Sequence, residues 1–227
     1  MIISYRHQFI FVHNWKVAGT SLRAALMPFA CEQPTRSGLI NLMMDRNLQL
    51  GYQLNSLATR SRATKWLSML PALTPFEKHN TASSLRAQLP SRIWTRYFKF
   101  GFVRSPWERE VSNYEFIRQR RIQPTFGAIE HLSSFDEYVD KYVRLNSYPQ
   151  RLFFTDELGE LIVDYVGRFE NLADDFARVS STIGITATLP HLNYTKHRSY
   201  RDYYTETSRQ IVGEIYAEDI ELFGYTF

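Results

Sequence analysis

The stretch FVHNWKVAGTSLRAAL, from Phe11 to Leu26, begins as a strand and ends as a helix. Phe9 to Val12 are consecutive apolar residues with high β propensity, which predicts a short buried strand. The segment Thr20 to Phe29 predicts a helix that closes near Pro28. The residues between them therefore lie at a junction where a strand feeds a helix.

This junction is suited to an anion. A helix that starts after a strand presents unpaired N–H groups and the positive end of its dipole. The sequence adds a lysine cation, a glycine that lets backbone approach a ligand and two hydroxyl groups, in Lys16, Gly19, Thr20 and Ser21. The loop is not a Walker A loop, because its lysine precedes the glycine. Alternatively, Thr20 only caps the helix and Lys16 is solvated.

A second junction lies in FGFVRSPWEREVSNY, from Phe100 to Tyr114. Tyr97 to Val103 predicts a second buried strand. Ser105 as N-cap and Glu108 as its partner in a capping box predict that a helix starts at Pro106.

Arg104 stands at the end of that strand, and Ser112 lies about two helical turns further on. An arginine and a serine on one side of a helix could hold one phosphate through charge-assisted hydrogen bonds. The alternative is that Arg104 pairs with Glu108 or Glu110 and that Ser112 is an ordinary helix serine.

Strands and helices alternate along the rest of the chain. A third strand is predicted at 161–166, and a helix capped by Asn171 is predicted to end at Gly184. Further helices are predicted at 83–89, at 134–143 and at 207–223, the last with Thr207 and Gln210 as its capping box. This alternation predicts an α/β fold with a central, mostly parallel sheet flanked by helices. Ligands of such sheets bind beyond the carboxyl ends of the strands.

Composition narrows the class of protein. The 227 residues fit a single domain, 1–227, in which the basic segment 31–75 is a helical or loop insertion that could form part of a substrate site. The net charge of +4 suits an anionic ligand, or simply a basic soluble protein. Cys31 is the one cysteine, which excludes an intramolecular disulfide and a cysteine-based zinc site. No apolar run approaches the ~20 residues of a membrane span and no signal peptide is recognisable, so we expect a cytoplasmic protein.

Taken together, the two junctions resemble the sulfotransferases, specifically the carbohydrate-type family 2. HNWKVAGTSL resembles that family's 5′-phosphosulfate loop, and FGFVRSPWEREVSNY resembles its 3′-phosphate motif. YVGRFENLADDF and the tail from Asn193 onward are similar to the family's later segments. The resemblance is weakest from Cys31 to Pro75. It implies a P-loop-like sulfotransferase fold.

The resemblance also implies a donor, 3′-phosphoadenosine 5′-phosphosulfate (PAPS), and a product, 3′-phosphoadenosine 5′-phosphate (PAP), with no metal ion. Arg104 and Ser112 would bind the 3′-phosphate. Phe169 stands where relatives carry a tyrosine near the adenine, so it could stack on the base but offers no hydroxyl. Lys196 and Arg198 resemble a basic loop over the 3′-phosphate, or are solvated charges. The residues implied to hold the phosphosulfate are Lys16, Val17, Ala18, Gly19, Thr20, Ser21 and Leu22.

Sulfuryl transfer needs a base for the acceptor hydroxyl and a cation for the leaving group. We expect Lys16 to stabilise the leaving-group charge and a histidine to act as base. His79 is the first candidate, because glycosaminoglycan-type relatives carry their catalytic histidine in a comparable place. His13, at the end of the first strand beside Lys16, and Glu77 are the alternatives.

The leading hypothesis is therefore a sulfotransferase acting on a hydroxyl group of a glycan, a glycolipid or a similar acceptor. A P-loop-type phosphotransferase is the runner-up, disfavoured because the Walker A order is missing and no magnesium-binding aspartate is obvious. A non-catalytic protein that binds anions or nucleic acid has only the basic charge in its favour, and we expect no nucleic-acid partner. The sequence does not predict the oligomeric state.

Overall fold

The computed structural model describes residues 1–30, 79–119, 124–190 and 198–227. The predicted insertion at 31–75 lies outside the described residues, as do Glu77 and Lys196.

Four strands form one sheet in the order β1-β2-β3-β4. They are β1 (Ile2–Ser4), β2 (Phe9–Val12), β3 (Phe98–Val103) and β4 (Tyr165–Arg168). β2, β3 and β4 are mutually parallel, and β1 runs antiparallel to β2. The prediction of an α/β fold with a mostly parallel sheet is therefore confirmed.

Two details of the sheet differ from the prediction. β1 was not predicted, and it forms because the chain turns back at residues 5–8, where Gln8 adopts a φ of 51°. The predicted third strand starts at 165 and not at 161, and Leu161 forms only an isolated bridge with Thr155.

Helices cover both faces of the sheet. They are α1 (Gly19–Leu26), α2 (Ala82–Gln88), α3 (Ser91–Arg96), α4 (Pro106–Gln119), α5 (Pro124–Ile129), α6 (Phe135–Glu137), α7 (Arg144–Asn146), α8 (Leu172–Thr182), α9 (Glu206–Ile215) and α10 (Ala217–Phe223). A π-helical segment, Tyr138–Val143, joins α6 to α7, and 3₁₀ turns occur at Met27–Phe29, Gln150–Phe153, Phe169–Asn171 and Tyr200–Tyr203. No helix in these described parts is both long and apolar enough to cross a bilayer.

The side-chain alternation of the strands creates two cores. Phe9 and Phe11 of β2 point with Phe100 and Phe102 of β3 into a core shared with α1 and α8. Ile10 and Val12 point to the opposite face, into a core shared with α2, α4 and the C-terminal helices. Because both of its faces are buried, β2 is a continuous apolar run, as expected for a parallel strand inside a sheet.

Two of the predicted helix caps had opposite outcomes. Ser134 accepts a hydrogen bond from the Glu137 N–H at 3.2 Å, which confirms the predicted cap. The capping box predicted at Thr207 and Gln210 is wrong, because the last helical region starts two residues earlier. Its box is formed by Thr205 and Ser208. That region is also two helices, α9 and α10, which meet at residue 216.

The capping box predicted for α4 is wrong as well. The Ser105 hydroxyl has no hydrogen-bond partner among the described residues, although its position before Pro106 is as predicted. The Ser105 N–H donates instead to Glu170 Oε1 at 2.6 Å, and Glu108 turns towards Arg104. A carboxylate from the end of β4 therefore replaces the expected local partner at the N-terminus of α4.

A buried carboxylate anchors the middle of α4. Glu110 is 6% exposed and accepts hydrogen bonds from Tyr216 at 2.8 Å and Tyr138 at 3.0 Å. Arg109 lies beside it, with 3.5 Å between Nη2 and Glu110 Oε1. Burial, reinforced by the Glu110 charge, raises the pKa of Tyr138 well above its usual value, so this hydroxyl stays a donor. These bonds fix the rotation of α4 against the C-terminal helices.

Candidate functional site

The loop after β2 has an unusual backbone. Lys16 and Ala18 adopt left-handed φ angles of 62° and 56°, which residues other than glycine rarely do, while Val17 between them does not. Alternation of handedness curls successive N–H groups towards one point and makes an anion-binding concavity. Such conformations cost about 1–3 kcal/mol each and cluster at functional sites. The backbone of this loop therefore fits the predicted anion site.

The side chains of the loop divide into anchors and exposed groups. Val17 and Leu22 are fully buried, and the Leu22 N–H donates to the Ala18 carbonyl at 3.1 Å to start α1. Ser21 is buried at the first turn, whereas Thr20 is exposed. Val17 and Leu22 can thus contribute only backbone groups to a ligand, whereas Thr20 and Ser21 carry hydroxyls.

The structure gives a reason for a glycine at position 19 that the sequence did not reveal. A Cβ at this position would lie 2.6 Å from His13 Cδ2 and 2.8 Å from His13 Cε1, and closer still to Nε2. The glycine therefore makes room for the imidazole ring of His13, which is 3% exposed and stacks on Phe11. The other reason, close approach of backbone to a ligand, stays a prediction.

Arg104 joins the two sequence motifs in space. Its guanidinium donates to the Lys16 carbonyl at 3.3 Å and to Glu108 Oε1 at 3.0 Å. It lies over the Phe169 ring, with 3.9 Å from Cζ to the ring centroid. Arg104 is 6% exposed, and its Nε has no hydrogen-bond partner among the described residues. Sequence analysis gave pairing with Glu108 as the alternative to phosphate binding by Arg104. The structure shows this pairing, and it does not use the Nε–H group of Arg104.

Ser112 lies on the face of α4 that borders the loop. Glu108, Ser112 and Phe116 are spaced four residues apart, so they share one helix face. Glu108 contacts Arg104, and Lys16 Nζ lies 3.8 Å from the centroid of the Phe116 ring. Ser112, which is 6% exposed, is therefore positioned between the residues that contact Arg104 and Lys16.

The end of β4 also borders this site. Phe169 and Glu170 follow β4 directly, and the two oxygens of Glu170 accept from the Ser105 N–H and from the Tyr225 hydroxyl at 3.2 Å. Burial and, after it, the Glu170 charge raise the pKa of Tyr225. Sequence reasoning placed Phe169 at this site but missed the role of Glu170, which links the ends of β3 and β4 to the C-terminus.

A buried amide network holds the ends of β2 and β3 together, and sequence reasoning missed it entirely. Gln150 Oε1 accepts from Asn14 Nδ2 at 3.1 Å and from the Arg104 N–H at 3.0 Å, while its Nε2 donates to the Arg104 carbonyl at 2.7 Å. Asp219 in turn accepts the Gln150 N–H at 2.6 Å. Asn14, Gln150 and Asp219 have no exposed surface. Each of them has other polar residues close by in the sequence, so no local pattern predicts these contacts.

His79 lies against the loop. Its Nδ1 is 3.0 Å from the His13 carbonyl, and its ring is 4.6 Å from the ring of His13 and 5.4 Å from that of Trp15, centroid to centroid. A carbonyl can only accept, so Nδ1 is the donor and the lone pair of the neutral ring is on Nε2. His79 is half-buried, whereas His13 is enclosed by Phe11 and Gly19.

Arg198 is exposed and lies 4.4 Å from the centroid of the Tyr203 ring. The Tyr203 hydroxyl donates to Glu115 at 3.1 Å, and Glu115 lies one turn beyond Ser112 on α4. Arg198 is thus near the helix that carries Ser112. In the described ranges, no group of three or more histidine, cysteine, aspartate or glutamate side chains is placed to hold a metal ion.

Comparison with known proteins matches the chain to a protein family. The model of a family described as "Sulfotransferase family" matches residues 1–226. A protein of Archaeoglobus fulgidus, named only as uncharacterised, is 32% identical over 123 residues, which are 52% of this chain and 93% of that protein. No solved structure matches the chain significantly.

Proposed function

Because the chain belongs to the sulfotransferase family and is by family a PAPS-dependent enzyme, we propose that it sulfates a hydroxyl group of a glycan or glycan-like acceptor, with His79 as base. The observation that carries the proposal is the contact of Arg104 with the Lys16 carbonyl, because it brings the two motifs into one site. A P-loop-like ancestry, a single domain over 1–227 and a cytoplasmic location stay predictions.

The donor would lie along the carboxyl edge of the sheet. The curled backbone at 16–18 and the hydroxyls of Thr20 and Ser21 would bind the phosphosulfate. The 3′-phosphate would then meet the free Nε of Arg104 and the hydroxyl of Ser112. This order follows the sheet, in which β2 and β3 are neighbours.

The adenine would lie near the end of β4. One face of the Phe169 ring is covered by Arg104, which leaves the other for a base. Arg198, and Lys196 outside the described residues, would approach the 3′-phosphate from the C-terminal segment. The contact of Arg198 with Tyr203 keeps it beside α4.

In the proposed reaction, His79 accepts the proton of the acceptor hydroxyl and Lys16 stabilises the leaving group. The acceptor hydroxyl gives its proton to His79 Nε2 while its oxygen forms a bond to sulfur. The bond between sulfur and the bridging phosphate oxygen breaks, and PAP leaves with the bonding pair. The Lys16 ammonium stabilises the charge on that oxygen. The hydrogen bond from His79 Nδ1 to the His13 carbonyl fixes the tautomer that the step requires.

The burial of His13 favours His79 as the base, because a base must reach the acceptor hydroxyl. We expect His79→Asn to lower kcat about 10²–10⁴-fold. The affinity for PAP should not change, because His79 does not belong to the proposed donor site. A variant with normal kcat would eliminate His79 and leave Glu77 as the next candidate.

The test of the donor site is calorimetric titration of the parent and of Arg104→Ala with PAP, AMP and ATP. We expect tight binding of PAP only, and its loss in Arg104→Ala. Equal binding of PAP and AMP by the parent, or unchanged binding by the variant, would contradict the proposal. A preference for ATP that requires Mg²⁺ would support the phosphotransferase, which the family match disfavours.

A further inference from the structure

Two aromatic side chains lie exposed beside His79. Trp15 is 43% exposed and Tyr148 is 36% exposed, so two large aromatic rings lie together at the surface. Their ring centroids are 5.0 Å apart with an angle of 52° between the planes. Phe153, which is buried, supports both rings from below at 5.6 Å and 5.3 Å.

The position of this pair relates it to the reaction. Trp15 is the residue before Lys16 in the loop, and its ring meets the His79 ring edge to face at 5.4 Å. A ring lying on the exposed face of Trp15 would therefore bring its substituents close to His79. None of the proposed donor contacts uses Trp15 or Tyr148, so the pair is left for the other substrate.

The charges around the pair bear on which acceptor fits. Arg144 and Arg151, the arginines that flank Tyr148 in the chain, are paired with Asp140 at 3.0 Å and with Glu218. Arg109, which donates to the Tyr148 carbonyl at 3.1 Å, lies beside the Glu110 carboxylate at 3.5 Å. Each of these three arginines is thus paired with a carboxylate. A polyanionic sugar chain needs basic groups to compensate its charge, whereas the C–H face of an uncharged sugar needs an aromatic surface.

We propose that Trp15 and Tyr148 form the acceptor platform, on which an uncharged pyranose ring of the acceptor stacks with one hydroxyl facing His79. The proposal rests on the sulfotransferase function and adds a substrate class to it. Trp15 provides the stacking face, and Tyr148 limits the ring on one side. Both are specificity-determining residues, and neither takes part in proton transfer.

The test is saturation-transfer NMR on the protein saturated with PAP. The probes are methyl β-galactopyranoside and methyl β-glucopyranoside as uncharged sugars, methyl β-glucuronide as the charged counterpart and 4-nitrophenol as an aromatic alcohol. We expect transfer to the ring C–H protons of at least one uncharged sugar. The signal should fall at least about fivefold in Trp15→Ala and in Tyr148→Ala, a loss of ~1 kcal/mol in binding.

Controls separate this proposal from the proposed function. Trp15→Phe should retain most of the signal, and Leu158→Ala, which shortens a side chain that is 87% exposed, should retain all of it. Calorimetry should give an unchanged PAP affinity for every variant, which shows that the fold and the donor site are intact. If the parent does not bind PAP, the proposed function fails, and the sugar titration without PAP still tests the platform.

Four results would overturn the proposal. A stronger signal for the glucuronide would indicate a charged acceptor, and transfer only to 4-nitrophenol would indicate an aromatic alcohol. Equal signals in the parent and in both alanine variants would place the acceptor elsewhere, as would the absence of transfer from every probe.

Discussion

The substitution Gly19→Ala tests the packing of the first residue of α1 against His13. The added methyl group would overlap the imidazole of His13, with Cδ2 at 2.6 Å and Cε1 at 2.8 Å. The ring cannot swing away easily, because Phe11 stacks on it at 5.6 Å and His79 lies 4.6 Å away. Either α1 or His13 must therefore move.

The expected cost follows from this overlap. Overpacking a well-packed interior by one methyl group typically costs about 1–3 kcal/mol. Helix propensity works in the opposite direction, because replacing glycine by alanine inside a helix gains up to ~1 kcal/mol. At the first residue of α1 the overlap should dominate, and the free energy of unfolding should fall by about 1–2 kcal/mol.

Urea denaturation of the parent, Gly19→Ala and the matched control Gly213→Ala measures this effect. Gly213 lies inside α9, and a Cβ there would meet only Trp107 at 3.6 Å, an ordinary contact. We expect Gly213→Ala to leave stability unchanged or to raise it. Gly19→Ala should also weaken PAP binding, because a shift of α1 displaces the loop at 16–18.

A double-mutant cycle identifies the cause. Truncating His13 to alanine removes the overlap, so Gly19→Ala should cost little in that background, with a coupling free energy of ~1 kcal/mol or more. Equal costs of Gly19→Ala with and without the His13 ring would refute the packing argument. So would a Gly19→Ala variant as stable as Gly213→Ala.

Three further predictions concern charges. Glu108→Gln removes a carboxylate beside Arg104 and the proposed 3′-phosphate site. Calorimetry should therefore show PAP binding that is tighter by about threefold or more, and AMP binding that does not change. Weaker PAP binding would contradict this prediction. Asp219→Asn leaves one acceptor oxygen for two buried backbone N–H donors and should cost about 1–3 kcal/mol in urea denaturation; an unchanged midpoint would mean that the amide network does not depend on the carboxylate. The hydrogen bond from Lys141, together with nearby donors, lowers the pKa of Glu137 to about 2 from 4.5, so its stabilising effect is present above pH 4.5 and is lost as pH falls towards 2. Thermal melts should accordingly show Glu137→Gln less stable than the parent at neutral pH, with a gap that narrows below pH 4.5 and not above it.

The elements that the sequence predicted well are those with strong local signals. The run at 9–12 is a continuous apolar segment, the run ending at Val103 is apolar except for Lys99 and Gly101, and both form strands. Pro106 after Ser105 correctly marked the start of α4. Fold class and the neighbouring positions of the two motifs followed from these elements, because parallel strands end at the same edge.

The failures involve contacts between residues far apart in the chain. A capping box at Ser105 was a reasonable local prediction, but Glu170, 65 residues away, takes the Ser105 N–H. At the C-terminus two threonines compete as caps, and packing selects Thr205 over Thr207. Local patterns cannot distinguish such cases, because the free energies of alternative caps differ by less than that of tertiary packing.

The amide of Gln150 has a further consequence for nucleotide selection. By hydrogen bonding to Asn14 and to both backbone groups of Arg104, it sets the spacing between two chain segments before any nucleotide arrives. The conformational entropy lost in fixing this spacing is lost during folding, so it does not reduce the binding free energy of a ligand. In the proposed donor complex, the fold alone would set the distance between the groups that bind the two phosphates, so we expect a nucleotide with a shorter distance between its phosphates to bind more weakly.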